Sequence, residues 1–273
     1  MDQAKIEDLE IEILLEAVAK RYGYDFRHYS SASLKRRVRH FLSQSDCSRI
    51  SELIPRFLYD KTFFRSFVLT LSITVTEMFR DPPVYKAIRE KVVPFLKTYP
   101  FIKIWHAGCA SGEEVYSLAI LLQEEDLYSR CQIYATDLND AALDRAKQGI
   151  YPVDRIKEFT INYQQSGGCK SLAEYYHSKY DSVILDQSLK KNIVFANHNL
   201  VSDAVFGEMH LILCRNVMIY FNSTLQERVL KLFYDSLVPK GFLCIGTKES
   251  LRFSQVAGSF KTIADREKIY QRK

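Results

Sequence analysis

No uninterrupted apolar run in the chain approaches the roughly 20 residues of a membrane-spanning helix, which argues against direct membrane insertion. The opening residues Met1-Asp2-Gln3-Ala4-Lys5-Ile6-Glu7-Asp8 are too acidic and too polar for a secretory signal. The six cysteines, Cys47, Cys109, Cys131, Cys169, Cys214 and Cys244, form no CxxC pair, and no histidine stands at metal-ligand spacing. No structural metal is therefore expected, and the cysteines read as small buried hydrophobes of a reduced, cytoplasmic protein. There is no GxGxxG, so a dinucleotide is not the first expectation, and no Cys–His arrangement suggests a nucleophile. Internal repeats and low-complexity tracts are absent too. In the first 75 residues glycine occurs only at Gly23, which favours helices there. From Phe26 to Ser45 no residue is acidic, while Arg27, Lys35, Arg36, Arg37 and Arg39 all fall in that window.

Against these absences one stretch is rich in information: Lys103-Ile104-Trp105-His106-Ala107-Gly108-Cys109-Ala110-Ser111-Gly112-Glu113-Glu114-Val115-Tyr116-Ser117. An apolar strand runs into a small-residue loop that opens onto a helix. Gly108 and Gly112 allow a tight turn and the close approach of a ligand. Val115, Leu118, Ala119 and Leu122 repeat at helical spacing and predict one face turned to a core. Strand, glycine loop and helix N-terminus make the nucleotide-binding corner of a doubly wound α/β sheet.

With 273 residues the chain can hold one large domain, or a medium domain and a smaller partner. The pattern predicts a helical domain over 1–75, with an amphipathic stripe of Ile6, Leu9, Ile13, Leu14, Ala17 and Val18. A second helix begins near Ser33, and Phe57, Phe63, Phe64, Phe67 and Leu71 weight a third and fourth. The punctuation Asp81-Pro82-Pro83, Pro94 and Pro100 marks 76–100 as a connecting segment. From Phe101 strands alternate with helices through 273, which predicts a mostly parallel sheet covered on both faces. The interval 156–197, with Gly167-Gly168, clustered tyrosines and the runs 183–185 and 193–195, reads as a small inserted β element.

Asp137 ends the second predicted strand and suits both ribose hydroxyls of a nucleoside; the alternative is a cap for the helix near Ala141. Ser111-Gly112-Glu113-Glu114 fits the capping box S-x-x-E, in which Glu114 reaches back to a backbone N–H. Two carboxylates at this corner would repel a phosphate, so a cationic ligand such as S-adenosylmethionine fits better. Arg215 and Asn216 leave the apolar strand Leu211-Ile212-Leu213-Cys214 at the ligand-binding edge, and Tyr220 follows, a residue that alone would read as core packing.

In order and spacing the chain resembles the CheR-type chemoreceptor glutamate methyltransferases over nearly its whole length. The resemblance rests on Thr74-Val75-Thr76-Glu77-Met78-Phe79-Arg80-Asp81-Pro82, the loop at 107–117, Ala135-Thr136-Asp137, His198-Asn199-Leu200, the segment 214–221 and Gly246-Thr247-Lys248-Glu249-Ser250. It implies a Rossmann-like class I methyltransferase sheet with an N-terminal all-α domain and a small inserted β subdomain. It implies S-adenosylmethionine as cofactor, with S-adenosylhomocysteine as product. Thr76 and Arg80 would hold the methionine carboxylate, with Thr74 standing where the family usually has Asn. Glu114 would take the amino group and Asp137 the ribose. Gly108 would line the loop, while Asn199, Leu200, Arg215 and Asn216 would flank the adenosine. Arg80 and Tyr220 would lie beside the transferring methyl group. Asp81-Pro82-Pro83-Val84 reads as a decoy of the [D/N]PP[Y/F] motif of amino-methylating enzymes, since it precedes the glycine loop.

The implied reaction is methyl transfer to a protein glutamate, which needs no general base because a carboxylate is already deprotonated at neutral pH. The implied partners are acidic cytoplasmic helices of chemoreceptors or receptor-like signalling proteins, met by a monomeric enzyme. Arg36, Arg37 and Arg39 are the candidate docking residues, against the plainer reading of a solvated helix face. Two other readings stay open: a non-catalytic S-adenosylmethionine-binding scaffold, and a methyltransferase for another carboxylate or for RNA. The net charge of +5 is small for a nucleic-acid partner.

Overall fold

A computed structural model describes residues 2–71 and 76–273; Thr74 lies outside the described residues. Two compact units divide the chain, one of 2–71 with 200–204 and 220–229, the other of 76–199, 205–219 and 230–273.

The first unit is helical: α1 (Gln3–Tyr22), α2 (Ser31–Ser43), α3 (Leu53–Tyr59) and α4 (Lys61–Leu71). Gly23 ends α1 in the left-handed region at φ 76°, giving its N–H to the Ala19 carbonyl. The buried face of α1 is Ile11, Leu14, Leu15 and Val18. The expected stripe is thus only half right, because Ile6, Leu9 and Ile13 are exposed. Two apolar rows of similar spacing overlap on this helix, and Leu14 and Val18 belong to both readings. Phe41, Phe57 and Phe67 cluster at the centre, with ring centroids 4.7 to 5.7 Å apart.

The second unit opens with α5 (Pro82–Ala87), a π turn over Ile88–Val92 and α6 (Val93–Leu96). The stretch read from its prolines as a connection is therefore helical. Pro82 and Pro83 sit in the first turn, where a missing N–H costs nothing. Pro94 cannot donate and crowds the preceding turn, and the helix widens to π just before it. Next come β1 (Ile102–Ala107), α7 (Glu113–Glu124), β2 (Cys131–Asp137) and α8 (Asp140–Gln148). The insertion supplies β3 (Ile150–Pro152), α9 (Ile156–Gln165), β4 (Tyr176–Lys179) and β5 (Ser182–Leu185). The chain closes with β6 (Ile193–Asn197), β7 (Met209–Cys214), α10 (Ser223–Ser236), β8 (Leu237–Ile245), β9 (Phe260–Ala264) and β10 (Ile269–Arg272).

The large sheet has the order β6-β2-β1-β7-β8-β10-β9, parallel from β6 through β8 and antiparallel over the last two strands. β1 is the switch point: the chain adds β2 and β6 on one side, then β7 and β8 on the other. The run 193–195, read as part of the insertion, instead extends this sheet, with Ile133 opposite Ile193 and Phe195 opposite Ala135. The inserted sheet has the order β3-β5-β4, antiparallel throughout, and draws its first strand from residues preceding 156. Both α9 and β9 escaped the sequence reading. α7 is buried on every side from Glu113 to Leu122, not on one face, so its apolar periodicity understates its burial. Cys131, Cys214 and Cys244 lie buried in strands and Cys109 in the glycine loop, all as free thiols. Among the described residues no helix is long and apolar enough to cross a membrane.

Candidate active site

The carboxyl ends of β1, β2 and β7 converge on the glycine loop. Gly108 and Cys109 both donate their N–H to the Thr136 carbonyl, at 2.8 and 2.9 Å, pinning the loop to the end of β2. Trp105, fully buried, donates its Nε1 hydrogen to the Thr136 hydroxyl at 2.8 Å. Both loop glycines are left-handed, at φ 73° and 91°. Their reason is internal as well as ligand-directed. A Cβ on Gly108 would stand 2.5 Å from a Val217 methyl, and one on Gly112 would stand 2.8 Å from Ala146 Cβ.

The expected capping box does not form. Gly112 is the N-cap of α7 and has no side chain to offer, while the Ser111 hydroxyl donates to Glu113 Oε2 at 2.7 Å. Glu114 instead turns inward. Its carboxylate accepts from Arg215 Nη1, and the same guanidinium donates to Asp81 Oδ2 at 2.6 Å and to the Arg80 carbonyl at 3.0 Å. The Arg215 side chain is completely buried. Burial pushes the Glu114 carboxyl above its ordinary range and Arg215 pulls it back. His106 lies behind this pair, Nε2 3.8 Å from Glu114 Oε2. Burial, with the Arg215 charge adding to it, lowers the imidazole to about 3, so it is neutral and a poor base.

Asp137 does not cap α8. Asn139 does, its side chain accepting from the Ala142 N–H. The Asp137 carboxylate accepts from the Ala110 and Asn139 N–H groups at 2.8 and 2.9 Å and remains half-exposed at the strand end. His198 gives its N–H to the Asp137 carbonyl at 3.2 Å, which brings Asn199 to the same edge.

Residues 76–81 form an arm against α7. Phe79, fully buried, donates its N–H to the Ser117 hydroxyl at 2.8 Å, and Phe79 and Asp81 take φ of 52° and 55° on either side of Arg80. Such left-handed, non-glycine backbone persists only where its surroundings fix it. Asn216 is likewise left-handed at φ 59°, and its buried Oδ1 has no hydrogen-bond partner among the described residues. Glu249 holds the turn after Asn216, accepting from the Gly246 N–H at 2.6 Å and the Ile219 N–H at 3.2 Å.

The structure thus brings Thr76, Arg80, Gly108, Glu114, Asp137, Asn199, Arg215 and Asn216 into the second unit, around the ends of its central strands. Leu200, buried, and Tyr220, half-exposed, belong to the first unit. There the Arg37 guanidinium lies 5.5 Å from the Tyr220 ring centroid and donates to the Thr70 carbonyl at 3.2 Å. Of the docking candidates, Arg36 is exposed, Arg39 is exposed and bound to Glu7, and Arg37 turns inward. Lys35 pairs with Asp8, so acidic residues of α1 neutralise much of the window that looked purely basic.

Sequence reasoning gave no site role to Asp81, Glu249 or Arg155, although Asp81 and Glu249 stand in motifs that carry the family resemblance. Arg155 carried no signal.

The donor set fits S-adenosylmethionine. Arg215 secures one oxygen of the Glu114 carboxylate, and the Oε2 of Glu114 carries no hydrogen bond among the described residues, which leaves an acceptor for an ammonium group.

Comparison with known proteins agrees. Residues 74–269 match the family model described as CheR methyltransferase, SAM binding domain, and residues 9–72 match the CheR methyltransferase, all-alpha domain. The chain is 50% identical over 265 residues to "Putative methyltransferase Cher3" of Pseudomonas putida, covering 97% of each chain. It is 30% identical over 250 residues to a "Chemotaxis protein methyltransferase" of Listeria innocua, covering 90% of this chain and 92% of the other. "Chemotaxis protein methyltransferase 1" of Pseudomonas aeruginosa is 27% identical over 227 residues, with 79% and 80% covered.

Glu113 gives the site a pH signature. Burial lifts its carboxyl from 4.5 to about 7. Between those values the folded protein holds a proton that the unfolded chain releases, so this group lowers stability as pH rises through the window. Glu113→Gln should therefore gain on the parent by up to about 3 kcal/mol between pH 4.5 and 7, read by urea denaturation at several pH values. A constant difference across that range would refute the assignment.

Proposed function

The chain belongs to the CheR methyltransferase family and is an S-adenosylmethionine-dependent methyltransferase, and we propose that its acceptor is a glutamate side chain of a chemoreceptor or receptor-like signalling protein. The observation that carries this reading is the match of both halves, all-alpha and SAM-binding, with relatives named chemotaxis protein methyltransferase matching over most of their length. A carboxylate acceptor has no proton to lose, so the reading asks for no general base, and His106, buried behind the Glu114–Arg215 pair, needs no part in it.

S-adenosylmethionine supplies, when bound, a methyl group on a positively charged sulfur. Glu114 is assigned to its amino group, because its Oε2 is open to a cation while Arg215 secures the other oxygen. Arg80 and Thr76 take the carboxylate end. Asp137 accepts from the ribose hydroxyls, its own orientation fixed by the Ala110 and Asn139 N–H groups. Asn216, with its buried unpartnered Oδ1, and Asn199 and Leu200 flank the adenosine. Arg215 acts beside them chiefly as the organiser of Glu114 and the arm. The chain's work is to orient the two reactants and exclude water, since their opposite charges cancel as the bond forms. Tyr220 orients the reacting carboxylate. Arg36 is the basic side chain on α2 left most available to an acidic receptor helix, and Arg39 joins it by exchanging Glu7 for that partner.

Incubation with methyl-labelled cofactor and chemoreceptor-bearing membranes tests the acceptor. Label should enter receptor bands and leave as methanol in mild base; base-stable label would refute the ester. Tyr220→Phe should lower kcat about tenfold or more while cofactor affinity, measured by calorimetry, stays within about twofold. Equal losses in both would remove Tyr220 from the reacting centre.

A further inference from the structure

The insertion reaches the cofactor side of the molecule through three side chains, each bonded to a backbone carbonyl. Arg155 Nη1 donates to the Thr76 carbonyl at 2.9 Å, and the Asn162 amide donates to the Met78 carbonyl at 3.2 Å. The Tyr151 hydroxyl donates to the Ser111 carbonyl of the glycine loop at 2.8 Å. Arg155 also lies 3.8 Å from Glu113 Oε1, on the helix that the loop opens, and 3.5 Å from Glu158. Its guanidinium packs 4.8 Å from the centroid of the buried Phe159 ring, which fixes its orientation. The arm it holds has two left-handed residues flanking Arg80 and would not keep that shape unaided. Its anchors fall on Thr76, Met78, Phe79 and Arg80; two of the four come from the insertion, one from α7 and one from Arg215.

We propose that the segment 150–165 is a clamp that sets the arm against the glycine loop, with Arg155 as a positioning residue for the amino-acid end of the cofactor. Arg155 touches neither the cofactor nor the acceptor in this role. It acts through Thr76 and, with Asn162, through the backbone that presents Arg80. The inserted subdomain is thereby coupled to cofactor affinity, whatever else it binds. The proposal rests on the reading that Thr76 and Arg80 hold the carboxylate end.

Calorimetry with two ligands separates a clamp from a general packing role. S-adenosylhomocysteine carries the amino-acid end, and 5′-methylthioadenosine shares the adenosine and the sulfur but lacks that end. Arg155→Ala should weaken S-adenosylhomocysteine about tenfold and leave methylthioadenosine within about twofold. Asn162→Ala should act in the same direction and less strongly; as a half-buried surface change it keeps the test valid should Arg155→Ala not fold. Equal weakening of both ligands, or no change in either, overturns the clamp. Arg80→Ala serves as the reference. If it discriminates between the ligands and Arg155→Ala does not, only the clamp fails. If Arg80→Ala does not discriminate, the assignment of the arm fails and takes the clamp with it.

Discussion

A guanidinium removed entirely from water is costly unless every charge it meets is matched, and Arg215 is such a group. It stands at the end of β7, where the strand leaves the sheet. From there it reaches Glu114 on α7, Asp81 before α5 and the carbonyl of Arg80. These are the elements that meet at the glycine-loop corner, the proposed cofactor site. Removing Arg215 would leave the buried Glu114 carboxylate without its ion-pair partner, at a cost of about 3 to 5 kcal/mol. The pair therefore assembles the corner and leaves the second Glu114 oxygen without a hydrogen bond among the described residues.

The rest of the corner follows from keeping these groups in place. Thr136 takes the N–H groups of Gly108 and Cys109, so the loop cannot drift from β2. Val217 and Ala146 fill the space above the loop glycines and lock its path. Glu249 ties the segment after Arg215 to the end of β8, which explains why Gly246-Thr247-Lys248-Glu249-Ser250 travels with the other motifs: its carboxylate satisfies two backbone donors there. Left-handed backbone at Phe79, Asp81, Ala110 and Asn216 lies around this corner, and the bonds that surround these residues hold it there.

Much of this was legible in the sequence, because its signals are local. The strand, loop and helix of β1 and α7, the strand ending at Asp137, the helix near Ala141 and the strand closing at Cys214 followed from apolar runs ending in Gly, Asp or Arg. What escaped depends on contacts distant in sequence. Ser111-Gly112-Glu113-Glu114 has the letters of a capping box, yet a buried arginine 101 residues away claims Glu114. The run at 193–195 looked like its neighbours in the insertion, and only pairing with β2 assigns it to the main sheet. Prolines at 82, 83 and 94 suggested a connection, but the first two sit in a first turn where they are compatible with helix, and the third is accommodated by the π turn before it. The basic window of α2 appeared unpaired because Glu7 and Asp8, which meet it, lie on another helix. Arg155 could not have been found at all, since its meaning lies in a carbonyl 79 residues earlier.

One buried guanidinium, through the geometry of its fork, builds the proposed cofactor corner. Arg215→Lys tests this most directly, because lysine keeps the charge but lacks the planar fork that reaches Glu114, Asp81 and the Arg80 carbonyl together. The measurement is the Kd for S-adenosylhomocysteine, by calorimetry on protein shown to be folded by circular dichroism. Arg215→Lys should lose about tenfold or more in affinity, the scale of one charge-assisted hydrogen bond. An unchanged Kd in a folded Arg215→Lys protein would contradict it.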